Sequence, residues 1–520
     1  MIKFISIKNF ILHNVIYRKY QIEYFNHLNK FFKKKSARKE KNLILLEFYP
    51  SWSSLISFAY LIYVLGKKHN AKTILYLPRR PNKLKIFYYN LLNKFNISHF
   101  NLLSIYSENN LLIPEFGKID KYKYYISKLK NIKNKSDILK IKFEGILVGD
   151  LIYDGYLRKY NTYTIDPSSN QFREYYIYCS KLFVFWFEYI KNNKVKSLIA
   201  SHTVYENAIP LRISYSLGAK DTFTSGLHYT YKHSKKFPTI DYDVKKRFNK
   251  LSKNEKKNAL IISDKILKKK FRGGNTMDAL QGEREVIIQK IKKSNNKSTN
   301  NNILIAIHSF SDAPHVFGNF VFEDQYEWLL FLAKESEKNK KFNWLLKVHP
   351  IYYDKEISFV HKILNNYPHI KILPKDVTNG ELINKGIKFV LSIYGSITYE
   401  YAYFGVPSIL ASKNHPYKKY NFMRDASTKS QYKKILKSLN NLKIPVSRDE
   451  VLEYYFMRFV RVNKLFKNFS KVADTLGAGY TTPLLYKLWL KEFNIKKHNR
   501  IIKKLNSYIY SEDYNFEYYD

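Results

Sequence analysis

His349 closes an apolar run, Trp344-Leu345-Leu346-Lys347-Val348, and Pro350 follows it. A histidine at a strand end can hydrogen-bond an anion, with charge assistance when protonated. Lys347 stands two positions earlier, so a strand would turn both side chains to one face. A second apolar run, Ile387 to Ser392, gives way to Ile393-Tyr394-Gly395-Ser396-Ile397-Thr398-Tyr399-Glu400 and then Gly405-Val406-Pro407. Gly395, Ser396 and Thr398 would open a helix whose free N–H groups and hydroxyls suit an anion. Ordinary N-capping by Ser396 would use the same geometry. Glu400 would accept hydrogen bonds from ligand hydroxyls, or complement the helix dipole. Together the two segments suit a nucleotide or another phosphate-bearing ligand.

Ser311, Asp312 and His315 share a polar stretch after the apolar run Ile303–Ile307. There they could meet the same ligand or move a proton, although Asp-Ala-Pro also spells a turn.

The elements that must position these groups alternate along the chain. Leu43–Phe48, Thr73–Leu77, Phe100–Ile105, Gly145–Val148 and Lys196–Ser201 read as strands, and Leu55–Leu65, Phe172–Ile190 and Val204–Leu217 as helices. Ser51 to Ser54 supply capping hydroxyls for the first helix. A polar, Lys-rich connection follows over 236–302, ending in the linker-like run from Ser294 to Asn302. A second series then begins. Ile303–Ile307, Trp344–Val348, Ile370–Leu373, Phe389–Ser392 and Ser408–Ala411 read as strands. Gln325–Lys338, Ile357–Asn365, Gly380–Lys385 and Ile397–Phe404 are their helices. Such alternation predicts parallel α/β sheets. The expected fold is α/β, with two Rossmann-like domains facing a cleft: 1–235, then the connection, then 303–430. A helical extension over 431–520 completes it.

A chain of 520 residues suits two or three cores. Its single cysteine, Cys179, excludes an intrachain disulfide and any cysteine-based metal site. The formal charge of +47 invites a nucleic-acid reading. Lysines are spread through nearly every segment, however, and no helix-turn-helix, RNP or zinc-finger pattern accompanies them. The spread fits an AT-rich coding bias, and nucleic acid is not the expected partner. A basic face such as Lys33–Lys41 would also hold the protein to an anionic membrane. Met1–Ile16 lacks the uninterrupted apolar core of a signal peptide, and Leu55–Leu65 falls short of the ~20 residues a span needs. The expected location is the cytoplasm, with contact at the inner membrane face.

The order of these motifs resembles GT-B-fold bacterial glycosyltransferases of the capsule and surface-polysaccharide type. The likeness rests on H-P, the later G-S-x-T-x-E and G-x-P, the loop Phe310-Ser311-Asp312-Ala313-Pro314-His315, the stretch Phe322–Trp328, and Gly149–Arg158. It spans roughly 40–420 and is densest over 303–416. H-P with a downstream Ser/Thr motif is also similar to sialyl- and Kdo-transferases. There the histidine and hydroxyls hold the phosphate of a CMP-sugar; the matching positions are His349, Pro350, Ser396 and Thr398. The acidic D/E-D/E-G motif of sialyltransferases is missing, since Asp150 follows Gly149 and Asp154-Gly155 is only half of it. CMP-, UDP-, GDP- and CDP-linked donors therefore all stay open.

The resemblance implies a nucleotide-sugar donor on the second domain and a polysaccharide or lipid-linked glycan acceptor on the first. It implies no further cofactor. An inverting transferase needs a general base near the acceptor hydroxyl. Asp154 is the preferred candidate, with Asp150, His202 and Glu206 as others, and Asp312 is the catalytic candidate of the second half. Arg158 would pair with one of these acids or bind an acceptor phosphate. Asp241-Tyr242-Asp243 spells D-x-D but falls in the connection, so no metal is expected. Two alternatives remain: a polyol-phosphate transferase with a CDP-activated donor, and a basic nucleic-acid-binding or scaffold protein.

Overall fold

The structure is a computed structural model that describes residues 18–32, 42–49, 52–82, 111–116, 121–226, 229–233, 243–271, 301–318, 320–350, 352–461, 490–491 and 494–516. The first half holds β1 (Asn42–Glu47), β2 (Ala71–Tyr76), β3 (Leu111–Leu112), the pair β4 (Lys142–Phe143) and β5 (Ile146–Leu147), β6 (Val195–Ala200), β7 (Asp221–Gly226) and β8 (Tyr229–Lys232). The second half holds β9 (Asn302–Ile307), β10 (Asn343–Val348), β11 (Ile370–Ile372), β12 (Ile387–Ser392), β13 (Ser408–Leu410) and β14 (Met423–Asp425).

Two six-stranded sheets result, in the orders β3-β2-β1-β6-β7-β8 and β11-β10-β9-β12-β13-β14. Leaving aside the small β4-β5 hairpin and counting along each half, both orders are 3-2-1-4-5-6, the Rossmann arrangement. Every pairing between neighbouring strands of the second sheet is parallel. In the first sheet only β8 runs antiparallel, at the edge. Each sheet also shifts register once, in the same central pair: at Leu43/Ile44 between β1 and β6, and at Ile387/Phe389 between β9 and β12.

The central strands are apolar runs because helices cover both their faces. On the first sheet, Ile44 and Leu46 pack on the helix Trp52–His69, while Leu45 and Leu198 pack on Gly149–Tyr160 and Asn170–Asn192. Trp52–His69 ends in Lys67, Lys68 and His69, which complement its C-terminal dipole. Ser169 caps Asn170–Asn192 by accepting the Phe172 N–H at 3.2 Å. In the second half Thr378 and Glu381 form a capping box on Asn379–Asn384.

Gly149 and Gly155 permit close packing of the helix they share. A Cβ on Gly149 would lie 2.0 Å from the Ile138 carbonyl oxygen, and one on Gly155 2.1 Å from the Tyr175 hydroxyl.

Some sequence expectations land differently. Gly145–Val148 yields only β5, half of an antiparallel hairpin outside the main sheet. The expected helix over Val204–Leu217 starts as a 3-10 turn, Glu206–Ala208, and becomes α-helical at Ile209–Ser216. Within the polar connection, Val244–Asn249 and Lys253–Phe271 are helices that pack with Arg448–Tyr455 through Val244, Phe248, Ala259 and Leu267. The expected strand Phe100–Ile105, most of the linker run, and Asp241-Tyr242 lie outside the described residues.

The C-terminal helix Ile495–Tyr510 returns to the first half. Its Leu505 and Ile509 join the core around Phe58 and Leu61, and the Phe516 N–H donates to the Thr230 carbonyl at 2.8 Å.

Candidate active site

In an open α/β sheet, ligands bind where the strand order reverses, beyond the carboxyl ends. In the second sheet that point lies between β9 and β12, under His308–Gly318 and Ile393–Ser396. In the first it lies between β1 and β6, beside Tyr49 and Ser201–Glu206. The two crevices meet directly, because the Tyr205 hydroxyl after β6 donates to Asp312 Oδ1 after β9 at 2.7 Å. Two Rossmann-like sheets facing across such a cleft make a GT-B-type α/β fold.

Asp312 stands at the centre of this junction. Its Oδ2 accepts from the Tyr352 hydroxyl at 3.0 Å. Arg158 Nη1 lies 3.9 Å from Oδ1 and His308 Nδ1 3.8 Å from Oδ2. Burial raises the pKa of this carboxyl, but His308, the two tyrosine hydrogen bonds and Arg158 outweigh it and hold it below its ordinary value. Asp312 is thus a carboxylate at neutral pH, and its side chain stays 28% exposed. Tyr205 holds a left-handed φ of 59° to reach it, a conformation that costs a non-glycine residue energy.

His349 belongs to the same group. Its ring lies 5.5 Å from that of His308 and 5.6 Å from that of Tyr352. Pro350 is exposed beside it. Ser311 is buried and accepts from Lys355 Nζ at 2.8 Å. Burial first, then Arg158, lowers the Lys355 pKa against the pull of Glu356 and Asp312. The rim of the crevice therefore gathers His308, His349, Arg158 and Lys355 around one carboxylate, a donor set suited to an anionic ligand.

Asp154 and His315 meet, but as a buried seam. His315 Nδ1 lies 2.5 Å from Asp154 Oδ1, and its backbone N–H donates to Oδ2 at 3.2 Å. His315 Nε2 is 3.0 Å from the Glu323 carbonyl oxygen, which can only accept. Nε2 therefore carries a proton, and a second proton sits between Nδ1 and Asp154. Burial lowers the His315 pKa, yet the Asp154 charge and hydrogen bond outweigh it and raise the value. Burial raises that of Asp154. With both oxygens engaged and its side chain 3% exposed, Asp154 is not set to receive a substrate proton. Its reading as the base meets a physical obstacle. The seam continues at buried Asp324, whose Oδ2 accepts from Tyr153 at 2.6 Å and Thr164 at 2.5 Å.

Lys347 is also engaged. Its Nζ donates to the Val377 carbonyl and to Asn379 Oδ1, both at 2.8 Å. Burial pulls its pKa down to about 8. Asn379 Nδ2 donates to Glu400 at 3.1 Å, and Lys270 Nζ to the other Glu400 oxygen at 2.8 Å. Lys347 and Glu400 therefore belong to one internal polar network.

The turn at Gly395 sits closer to the crevice. The Tyr394 hydroxyl donates to the Ala313 carbonyl at 2.9 Å, and the Tyr417 hydroxyl holds the Gly395 carbonyl at 2.8 Å. Ser396 is exposed and its side chain makes no cap bond, so N-capping does not account for it. Thr398, two positions on, is fully buried.

His308, Tyr205, Tyr352 and Lys355 complete the site without having been expected. His308 carried the same signal as His349, a histidine ending an apolar run. The tyrosines carried none in a chain with 46 of them. Among the described residues no group of three or more His, Cys, Asp or Glu could hold a metal ion. Nor is any helix among them long and apolar enough to cross a membrane.

No family model matches the chain, and neither does any curated protein. Among solved structures it is similar to the beta Kdo 2,4 transferase KpsC of Thermosulfurimonas dismutans, at 10% identity and a TM-score of 0.32 over 50% of this chain and 79% of that one. It is similar to a glycosyltransferase from Rickettsia africae ESF-5, at 11% identity and a TM-score of 0.27 over 88% of this chain and all of that one. A UDP-GlcNAc 2-epimerase from Neisseria meningitidis bound to UDP-GlcNAc matches at 10% identity and a TM-score of 0.22, over 79% and 97%. At this level the likeness carries no argument about activity, and the fold rests on the strand orders of the two sheets.

Proposed function

We propose that the chain is a glycosyltransferase that moves a sugar from a nucleotide-sugar donor to a surface polysaccharide or lipid-linked glycan. The observation that carries this reading is Asp312, a carboxylate held by a tyrosine from each half at the meeting point of two strand-end crevices.

The donor would lie on the second half. His349, His308, Lys355 and Arg158 would meet its phosphates, with Gly395 and Ser396 at the edge of the same crevice. Their cationic groups would stabilise the charge that grows on the leaving phosphate, as preorganised donors do elsewhere. Asp312, with its depressed pKa, is better suited to balance positive charge at the sugar's anomeric carbon than to collect a proton. The acceptor would approach from the first half. CMP-linked donors are the first to try, on the H-P and Ser/Thr pattern. The cytoplasmic side of a membrane is the location this reading needs.

The test is thermal shift with a panel of CMP-, CDP-, UDP- and GDP-sugars. A ligand that binds only the folded state raises the melting temperature, so one nucleotide class should do so, and His349→Ala should abolish the shift. No shift with any donor, together with tight salt-sensitive DNA binding, would reject the reading in favour of a basic nucleic-acid binder.

A further inference from the structure

The strand-end crevice of the first sheet contains a chain of three side chains that the donor site does not use. In the register of β1 against β6, Leu46 lies opposite Ile199. Glu47 therefore ends β1 just where the chain leaves β6 at Ser201. Glu47 is buried, and its Oε2 accepts from the Ser201 backbone N–H and, at 2.8 Å, from the Ser201 hydroxyl. The Ser201 oxygen in turn lies 2.6 Å from His202 Nδ1.

With Glu47 ionised, these contacts set the tautomer. A serine hydroxyl has one proton, and here it points to Glu47. The bond between Ser201 and His202 must then be made by the Nδ1–H of the imidazole. Nε2 is left with its lone pair, and among the described residues it has no hydrogen-bond partner. The ring is half-buried, with Tyr49 edge-on at 5.1 Å. Three residues on, Tyr205 touches Asp312, so the same loop joins this group to the cleft.

We propose that His202 is the general base that takes the proton of the acceptor hydroxyl, with Ser201 and Glu47 as positioning residues that hold its Nδ1–H tautomer. This rests on the transferase reading above. As the acceptor oxygen bonds to the anomeric carbon, its proton passes to Nε2. The bond from that carbon to the donor phosphate breaks, and the electron pair leaves with the phosphate. The imidazolium so formed faces the buried Glu47 carboxylate through Ser201. Burial raises the Glu47 pKa, against the pull of His202, the Ser201 hydrogen bonds and Arg79; Arg79 itself pairs with Glu206 at 3.3 Å. Neither Asp154, which has no free oxygen, nor Asp312, which is a weakened base, competes for the task.

Two measurements test the proposal. The first needs no substrate: nitrogen-15 NMR of the imidazole in mildly alkaline buffer should find Nδ1 protonated and Nε2 bare in the wild type. Ser201→Ala and Glu47→Gln should redistribute the proton toward the tautomer common in free histidine. A bare Nδ1 in the wild type overturns the relay. The second uses the donor found by thermal shift. His202→Gln should keep that donor shift while turnover falls by about 10²–10⁴-fold, the usual worth of a general base. Turnover within threefold of wild type would overturn His202 as the base and leave the transferase reading intact. Absence of a donor shift in the wild-type protein would instead remove the transferase reading, and this proposal with it.

Discussion

Asp154 on the helix Gly149–Tyr160 and His315 in the loop after β9 meet at 2.5 Å with both side chains buried, and so join the two halves by a shared proton. Removing one partner of such a pair strands the other. Asp154→Ala should therefore lower stability by roughly 3–5 kcal/mol. Asp154→Asn should cost much less, because a neutral histidine can still donate to Glu323 and accept from the amide. Urea denaturation of both variants decides it. If Asp154→Asn kept its stability but lost all turnover, the residue would be catalytic after all.

The same pair gives a pH dependence with a definite sign. Both folded pKa values lie above their ordinary values, 6.5 for the histidine and 3.8 for the aspartate. The native state thus holds protons that the unfolded chain has released, and stability falls as pH rises. For His315 the stabilisation is complete below 6.5 and is lost as pH climbs through the raised folded value. Buried His233, pulled down to about 3 by burial and Arg212, works in the opposite sense. The difference between wild type and Asp154→Asn isolates the pair. It should shrink from mildly acidic to alkaline pH, and a difference that grew would refute the assignment.

Asp312 should be sensitive in turnover rather than in donor binding. Asp312→Asn removes the charge, and a loss of about 10²-fold or more is expected if it stabilises the transition state electrostatically. Tyr205→Phe deletes one hydrogen bond to the carboxylate and should cost roughly tenfold, consistent with the 1.5 kcal/mol or so of a charged hydrogen bond. Steady-state kinetics with the identified donor measures both. Unchanged turnover in Asp312→Asn would remove the residue from the reaction.

Gly155→Ala probes the close approach of helices. The new methyl would fall 2.1 Å from the Tyr175 hydroxyl and 2.6 Å from Glu206 Oε2, two buried groups that hydrogen-bond each other at 2.9 Å. Overpacking of this kind costs about 1–3 kcal/mol. Calorimetry should show a lower melting temperature, and an unchanged one would mean that the helices can part freely.

The strands most legible in the sequence were apolar runs buried on both faces, although the edge strand β11 was legible too. Ile303–Ile307 and Trp344–Val348 read as apolar runs and became β9 and β10. β7 went unseen because Asp221–Gly226 alternates small polar residues with one Phe223, which no apolar run announces. The Lys-rich helix Lys253–Phe271 hid for a related reason, since its buried stripe is Ala259, Ser263, Leu267 and Lys270. In the site, His349, Ser311, Asp312 and His315 were legible as polar groups after strand ends. The meeting of Asp154 with His315, 161 positions away, was not, because nothing local in either segment encodes it.

The return of Ile495–Tyr510 to the first sheet has a mechanical consequence. The second half is spliced into the first, entering after β8 and leaving before that last helix. Two covalent crossings therefore tether it, as two pins hold a door. The core of the first half is complete only when Ile495–Tyr510 has come back across the whole second half. Unfolding of the second half would therefore lengthen the loop which that core must close, at an entropic cost that grows only slowly with loop length.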